Sequence, residues 1–377
     1  MTNSPPARPV RICLVCGEIF AWNKYGGFGR SARWIGRDLV RRGYEVHAVV
    51  PRRKGQRPVE QLDGMTVWSF PLYNPLASLW LYRRCRAQIY HSQQPSLGTA
   101  LARIAMPRSR HVVTCRDIKL SRDWRIEQAL PSRSRLAARL TRLYEDNPLV
   151  GWAVRNADRV FSAYQGVGRK ARVKFRLPVE PGFLPSPVEV PVTVRKSATP
   201  QVCYVGRWDR RKRPHLFFEL ARAFPEVRFV AVGLSQDKAW EASLRDTYGG
   251  LPNLELRGFV NQFDGTLLSG LYEESWILVN TSPREGLPTS FLEAAAHRCA
   301  IRACVNPDGF TAQSGWHASA KTLSTGLAHL LEADRWRSCG ERAYQLVRDS
   351  YESERAMDLH CALYRELLEG DGNGRRS

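Results

Sequence analysis

No stretch of this 377-residue chain approaches the roughly 18 uncharged residues that a membrane-spanning helix needs. The opening, MTNSPPARPVRICLV, offers no apolar run of signal-peptide length before Arg11. The expected location is therefore the cytoplasm, including the inner face of the cell membrane. Cysteine is scattered and odd in number, nine in all, which argues against a disulfide framework and suits buried thiols in a reducing compartment. Cys13 and Cys16 form one CxxC, but no second pair and no nearby histidine accompany it, so neither metal binding nor redox chemistry is expected there. No DxD carboxylate pair occurs, which argues against a metal-bridged diphosphate. Zinc-finger, RNP and P-loop signatures are absent as well. The expectation is no metal and no cofactor.

What is present suits a globular enzyme. Apolar residues make up 43% and charged residues 25%, enough to build real cores, and the length favours two domains with a cleft between them. The net charge of +21 is one-sided. Residues 1–200 hold 35 Lys/Arg against 13 Asp/Glu, a net of +22, whereas residues 201–377 hold 22 against 23, a net of −1. The first half should therefore face something anionic, and nucleic acid and an anionic membrane surface are the two candidates.

The first half opens on a strand-like run, Arg11 to Val15. A Gly-rich loop around Gly26, Gly27 and Gly29 follows, then a helix with Ile35 and Leu39 on one face and Gly43 as its stop, and a second apolar run, Val46 to Val50. This is a βαβ unit. Further strands are expected at Ala87 to His91, His111 to Thr114 and Arg159 to Ser162, giving a parallel α/β sheet. Residues 181–200 carry five prolines and mark the linker. The alternation then restarts: strand Val202 to Val205, helix Pro214 to Phe224, strands Arg228 to Val232 and Trp276 to Asn280, helix Thr289 to Ala296, strand Ile301 to Val305. The expected domains are 1–190 and 191–350. After them, 351–377 forms a helix over Glu352 to Leu368, packing back on the first domain, and a disordered polar tail, GDGNGRRS.

Two segments carry chemistry. YVGRWDRRKRPHLFFEL sets a glycine and basic residues between a strand and a helix, where loop amides and a helix N-terminus favour a phosphate, and Arg207 and Lys212 would neutralise a diphosphate. Taken alone, DRRKR also reads as a solvated turn. In SPREGLPTSFLEAAAH, Glu285 stands in a Gly/Pro loop and Glu293 eight residues later inside the following helix. Ionised carboxylates there suit hydrogen bonding to the paired hydroxyls of a sugar and a ribose.

These segments resemble the retaining glycosyltransferases of family 4, whose GT-B architecture is two Rossmann-like α/β/α domains facing across a cleft. Glu285 to Glu293 matches the family's E-x7-E motif, and Arg207 and Lys212 match its diphosphate-binding arginine and lysine. The resemblance extends from Ile12 to about Leu368 and is strongest after Tyr204, where LRGFV at Leu256 to Val260 also coincides. It implies transfer of a sugar from a nucleotide-diphosphate sugar to an acceptor hydroxyl, of a cell-envelope glycan, glycolipid or lipid-linked saccharide, with retained configuration. Glu285 would contact the transferred sugar and Glu293 the ribose. Gly26 and Gly27 would bring backbone amides to the donor phosphate, with Gly286, Leu287, Pro288 and Val260 completing the donor side. The first domain would handle the acceptor.

Two departures stand out. Where the family places a histidine near the reacting sugar, VVTCRDI has Arg116, carried here as a catalytic candidate, followed by Asp117. His91, expected in a cleft-facing loop, and Asp117 are the acceptor-side candidates. After Glu293 the family's Gly-rich turn is replaced by HRCAIRACVNPDGF, which leaves Asp308 and Gly309 as candidates and the sugar identity open. In SRSRLAARLTRLYEDN, Leu136, Leu140 and Leu143 share a helical face ringed by Arg133, Arg135, Arg139 and Arg142; that helix either lies on a bilayer or buries its leucines in the core.

Three other functions compete. Gly27-x-Gly29-x-x-Ala32 followed by Arg52 and Arg53 loosely fits an NADP-dependent oxidoreductase, although eleven residues separate Val15 from Gly27. The basic charge alone suggests a nucleic-acid-binding protein, and a sugar-nucleotide epimerase would share the architecture.

Overall fold

The computed structural model describes residues 9–129 and 135–369, which form two compact α/β units. The Arg133 of the amphipathic stretch and the tail GDGNGRRS lie outside the described residues. In chain order the first elements are β1 (Arg11–Val15), α1 (Gly27–Arg41), β2 (Glu45–Pro51), β3 (Val59–Leu62), β4 (Met65–Phe70), α2 (Ser78–Cys85) and β5 (Ile89–Ser92). Next come α3 (Leu97–Ala105), β6 (Arg110–Cys115), α4 (Ser121–Ala129), α5 (Arg135–Glu145), α6 (Pro148–Arg155), β7 (Arg159–Ser162), α7 (Gln165–Phe175) and β8 (Gly182–Phe183).

The second half runs β9 (Gln201–Val205), α8 (Pro214–Ala223), β10 (Arg228–Val232), α9 (Lys238–Tyr248), β11 (Leu254–Gly258), α10 (Leu267–Glu274), β12 (Ile277–Asn280) and α11 (Thr289–Ala296). It ends with β13 (Ala300–Ala303), α12 (Phe310–Ser314), β14 (Gly315–His317), α13 (Leu323–Leu331), α14 (Arg335–Tyr351) and α15 (Ser353–Glu369).

The first sheet is ordered β3-β4-β2-β1-β5-β6-β7-β8, parallel except for the β3–β4 hairpin. Strands buried on both faces need apolar residues at every position, and β1 meets this by alternation. Its Ile12 and Leu14 point to one core with Ile35 and Leu39 of α1, while Cys13 and Val15 point to another with Leu81 and Tyr82 of α2 and Leu101 of α3. The hairpin turns on Asp63 and Gly64, both at positive φ, as a two-residue hairpin loop requires. Arg33 of α1 grips that turn with two bonds to the Asp63 carboxylate, at 2.6 and 3.1 Å.

The second sheet, β11-β10-β9-β12-β13-β14, is parallel throughout and is flanked in the same way by two cores. One gathers Phe217 and Phe218 of α8 against Val202, Tyr204 and Phe229, and the other gathers Phe291 and Leu292 of α11 with Val347 of α14.

The units are not consecutive in sequence. The first comprises residues up to Leu120, Arg139–Pro187 and Glu354 onward, and the second takes α4 together with Val188–Ser353. α15 therefore belongs to the first unit, where Met357, Cys361 and Tyr364 complete the core that contains α1. Its first turns are tied to the end of α1 by Arg42, whose guanidinium donates to Glu354 and Asp358 at 2.6 Å each.

Candidate active site

At the end of β9 the chain must turn sharply under its neighbour. Gly233, at φ +151, follows β10, and a Cβ there would stand 1.9 Å from the carbonyl oxygen of Gly206, so only glycine fits the approach. The turn leads through Arg207, which pairs with Asp209 at 3.1 Å, and the buried Trp208 to a short 3-10 turn, Arg210–Lys212. The loop between β12 and α11 comes alongside: Thr281 Oγ1 donates to the Lys212 carbonyl at 2.6 Å, and Arg213 Nε to the Thr281 carbonyl at 2.7 Å.

These braces bring together two residues 73 positions apart. Lys212 Nζ donates to the Glu285 carboxylate. Burial alone would raise the Glu285 carboxyl, but the charge and hydrogen bond of Lys212, with help from Ser282 and Arg211, hold it below its ordinary value. Burial lowers Lys212 from the other side, and Arg207 and Arg211 add to that, against the pull of Glu285. Lys212, Glu285, Arg207 and Arg211 thus form one electrostatic neighbourhood. Glu293 sits on α11 and its Oε2 accepts from the Tyr272 hydroxyl at 3.1 Å. Leu287 and Val260 line the edge of the core beneath α11. Gly286 and Pro288 carry the chain from Glu285 into α11, whose first helical residue follows Pro288. Asp308 and Gly309, both at positive φ, form the turn into α12.

The sequence reading missed the layer behind this cluster. Arg284, almost fully buried, donates to Glu127 Oε1 at 3.1 Å and stands 3.3 Å from Asp123; Arg211 donates to Glu127 Oε2 at 3.3 Å. Both acids come from α4. The available signal was the pair of acids one helical turn apart, Asp123 and Glu127, in an otherwise basic stretch.

In the first unit several candidates need correction. His91 is not in a loop: it lies in β5, fully buried, with Nδ1 bonded to the Tyr364 hydroxyl at 2.6 Å and Nε2 to Thr114 Oγ1 at 2.7 Å. Burial, then the charges of His360 and Arg116, pushes it well below the usual imidazole value. Both ring nitrogens are taken, so it has none left for a substrate. Arg116 follows β6 and is also buried; it donates to the Gln93 carbonyl at 2.9 Å, to Gln93 Oε1 at 2.7 Å and to Ser186 Oγ. Burial brings its guanidinium down to about 10. That geometry is a brace between the ends of β5 and β6 and the loop after β8 at Ser186. Asp117, beside it, accepts through its carbonyl from Gln94 at 2.8 Å and is nearly buried.

Gly26 and Gly27 open α1, but an internal carboxylate already occupies the place where its N-terminus would take an anion. Glu18 Oε1 accepts from the Gly29 amide at 3.1 Å, its other oxygen is 3.3 Å from Lys24, and a Cβ on Gly26 would stand 2.0 Å from it. Leu140 and Leu143 of α5 are exposed between the exposed Arg139 and Arg142, so these two leucines are not core. All nine cysteines are free; burial raises Cys13 and pushes Cys16 up to about 12, which keeps both thiols protonated and inert.

Residues 26–186 match the family described as "Glycosyl transferase 4-like domain" and residues 188–310 match "Glycosyl transferases group 1". No curated protein sequence matches the chain. Among solved structures, sucrose-phosphate synthase from Thermosynechococcus elongatus is similar at TM-score 0.73 and 16% identity, covering 96% of this chain and 100% of its own. The Anabaena protein HepE in complex with UDP and glucose is similar at TM-score 0.68 and 11% identity, over 94% and 99%. The catalytic domain of starch synthase IV from Arabidopsis thaliana, bound to ADP and acarbose, is similar at TM-score 0.62 and 11% identity, over 96% and 100%. At these identities the likeness is one of fold.

Proposed function

We propose that this chain, which belongs to the glycosyltransferases and has the GT-B fold, takes its sugar from a nucleotide-diphosphate donor held by the second unit and passes it to an acceptor hydroxyl with retained configuration, without metal or cofactor. The contact between Lys212 and Glu285 carries the reading. It gathers cations and a carboxylate at the carboxyl ends of β9 and β12, where open α/β sheets bind their ligands.

A departing diphosphate concentrates negative charge, so cations aimed at it lower the barrier most. Arg207 and Lys212 supply that charge, with Arg211 reinforcing it. Glu285, held ionised by its neighbours, accepts hydroxyls of the transferred sugar, and Glu293 those of the ribose. Before the donor arrives, the Lys212 charge is balanced by Glu285. The incoming diphosphate takes over part of that partnership and leaves the carboxylate oxygens for the sugar.

The acceptor is read from the first half, whose net +22 suits an anionic or lipid-linked glycan at the inner face of the cell membrane, with the protein peripheral on it. Leu140 and Leu143, exposed among arginines, support contact with a bilayer. Among the described residues no helix is long and apolar enough to cross a membrane.

The test is a panel of UDP-, GDP-, ADP- and dTDP-sugars, scored by thermal stabilisation and by hydrolysis. One of them should stabilise the protein and be turned over. Stabilisation by NADP with none by any nucleotide sugar would overturn the proposal in favour of an oxidoreductase. Turnover to an isomeric nucleotide sugar, with no label reaching acceptor or water, would favour an epimerase.

A further inference from the structure

We infer that the segment Leu72 to Arg86 is the surface by which the first unit docks on an anionic lipid bilayer. This deepens the membrane reading above and rests on it, but it places the contact on different residues from α5. Between β4 and the end of α2, Leu72 is 63% exposed, Tyr73 91%, Leu76 61% and Trp80 58%. Four large apolar side chains within nine residues are more than the scattered exposure of an ordinary surface.

They are not strays from the core, because α2 meets its core obligations with other residues. Leu81, Tyr82 and Cys85 are buried against β1, β5 and α3. Trp80 of α2 and Leu76 of the 3-10 turn that leads into it, Pro75–Ala77, are exposed instead, so the segment has an inner apolar face that is used and an outer one that is not.

Charge selects the partner. Arg83, Arg84 and Arg86 are all exposed, and the Arg84 guanidinium lies 4.8 Å from the Trp80 ring and 5.1 Å from that of Trp68. An arginine stacked on the indole keeps its charge beside the apolar residues. From Gly64 to Arg116 the chain has no Asp or Glu at all, against seven arginines. A tryptophan and a tyrosine among exposed apolar residues, with cations alongside and the Glu45 carboxylate beside α2 already held by Arg11 at 2.8 Å, match the layered chemistry of a bilayer surface: acyl chains, then interface, then anionic headgroups. An acidic protein would satisfy the arginines but gives no role to Leu72, Tyr73 and Leu76 standing out on a turn.

The experiment is flotation of the full chain with vesicles of phosphatidylcholine alone and of phosphatidylcholine mixed with phosphatidylglycerol. The wild-type chain should float only with the mixed vesicles. Leu76→Asp/Trp80→Asp and Arg83→Glu/Arg84→Glu should each weaken that binding by about tenfold or more. Their circular dichroism, thermal midpoint and donor hydrolysis should remain those of the wild type, because the altered side chains are exposed and outside the donor cluster. If the wild type floats and both variants float equally well, the inference is wrong while the membrane reading stands. If the wild type floats with neither vesicle, both are wrong. If it ignores vesicles but binds polyglutamate through the same residues, the surface is a protein site and the inference is overturned.

Discussion

Glu127 accepts from Arg284 at 3.1 Å across 157 residues of sequence, and from Arg211 on its other oxygen at 3.3 Å. One carboxylate from α4 therefore sets two arginines whose chain neighbours are Glu285 and Lys212. Glu127→Ala leaves both guanidinium groups without that shared counter-charge in a mostly buried place, which costs about 3 kcal/mol or more. We expect the thermal midpoint to fall by several degrees and the donor KM to rise with a smaller change in kcat. Glu127→Asp should recover part of both. An unchanged KM in a folded Glu127→Ala variant would limit Glu127 to a structural role.

Lys212 and Glu285 should separate stability from chemistry. Lys212→Met strands a half-buried carboxylate, and Glu285→Gln strands a half-buried ammonium, so each alone should destabilise the second unit. The double variant should be more stable than the sum of the two predicts, by about 1 kcal/mol or more in a double-mutant cycle. Transfer should nevertheless fall by about a hundred- to a thousandfold in every combination, since the charge aimed at the leaving group is gone in each variant lacking the lysine and the sugar's acceptor in each lacking the carboxylate. Denaturant unfolding and initial rates on the same preparations check both halves.

The cations around Lys212 lead us to expect full activity in excess chelator. Rates measured with EDTA and with added magnesium or manganese should agree within experimental scatter. Strict dependence on an added divalent ion would remove the proposed charge source.

Glu18 occupies the N-terminus of α1 as an anion would. On the reading that Gly26 and Gly27 approach the donor diphosphate, the carboxylate competes with it. Glu18→Gln should cost about 0.5 to 1 kcal/mol of stability from the weakened cap. It should also lower the donor KM. A KM that stays put while stability drops would confine Glu18 to holding the loop.

His360 should make the first unit acid-sensitive. It is fully buried on α15, donating from Nε2 to the Pro185 carbonyl at 3.2 Å. Burial brings it down from 6.5 to about 4; Arg116 pushes in the same direction, while the Pro185 bond and Asp38 push the other way. A histidine whose folded value is depressed stabilises fully above its unfolded value, and the unfolded chain binds the extra proton as pH falls below that. Stability should therefore be flat above about pH 6.5, fall as pH drops towards 4 and lose about 3 kcal/mol from this group. His91, pushed down in the same core, adds to the slope. His360→Gln should flatten the decline in midpoint between pH 6.5 and 5.

The sequence disclosed most strands well because their apolar runs are continuous, as in Arg11–Val15 and Arg228–Val232, whose residues after the first are buried. Arg11–Val15, Arg159–Ser162 and Arg228–Val232 fall where the apolar runs predict them, and the helix Thr289–Ala296 starts and stops where expected. It was silent on β3, whose residues Val59–Leu62 alternate between exposed and half-buried with two polar side chains among four, although Asp63-Gly64 was a usable turn signal. Val59–Leu62 is the edge strand of the sheet, where the demand for apolar residues is weakest. Spacing aligned Lys212 with Glu285 only through a resemblance, since their meeting depends on Thr281 and Arg213 bracing two loops. His91 was misread because a histidine in a strand of α/β type resembles one at a strand's end. What decides the matter is the Tyr364 hydroxyl, 273 residues away, and no local pattern carries that.

The exchange of α4 and α15 between the units also bears on how such a chain can be recombined. A crossover between Pro187 and Val188, the seam suggested by the order of the halves, would separate the first core from Met357, Cys361 and Tyr364 and the second from Asp123 and Glu127. A hybrid with a relative that inherits only the front of this chain would have to rebuild both interfaces at once. Inheritance of a unit intact needs several coordinated breakpoints. New donor or acceptor preferences in such a lineage should therefore arise more readily by substitution within loops than by trading halves.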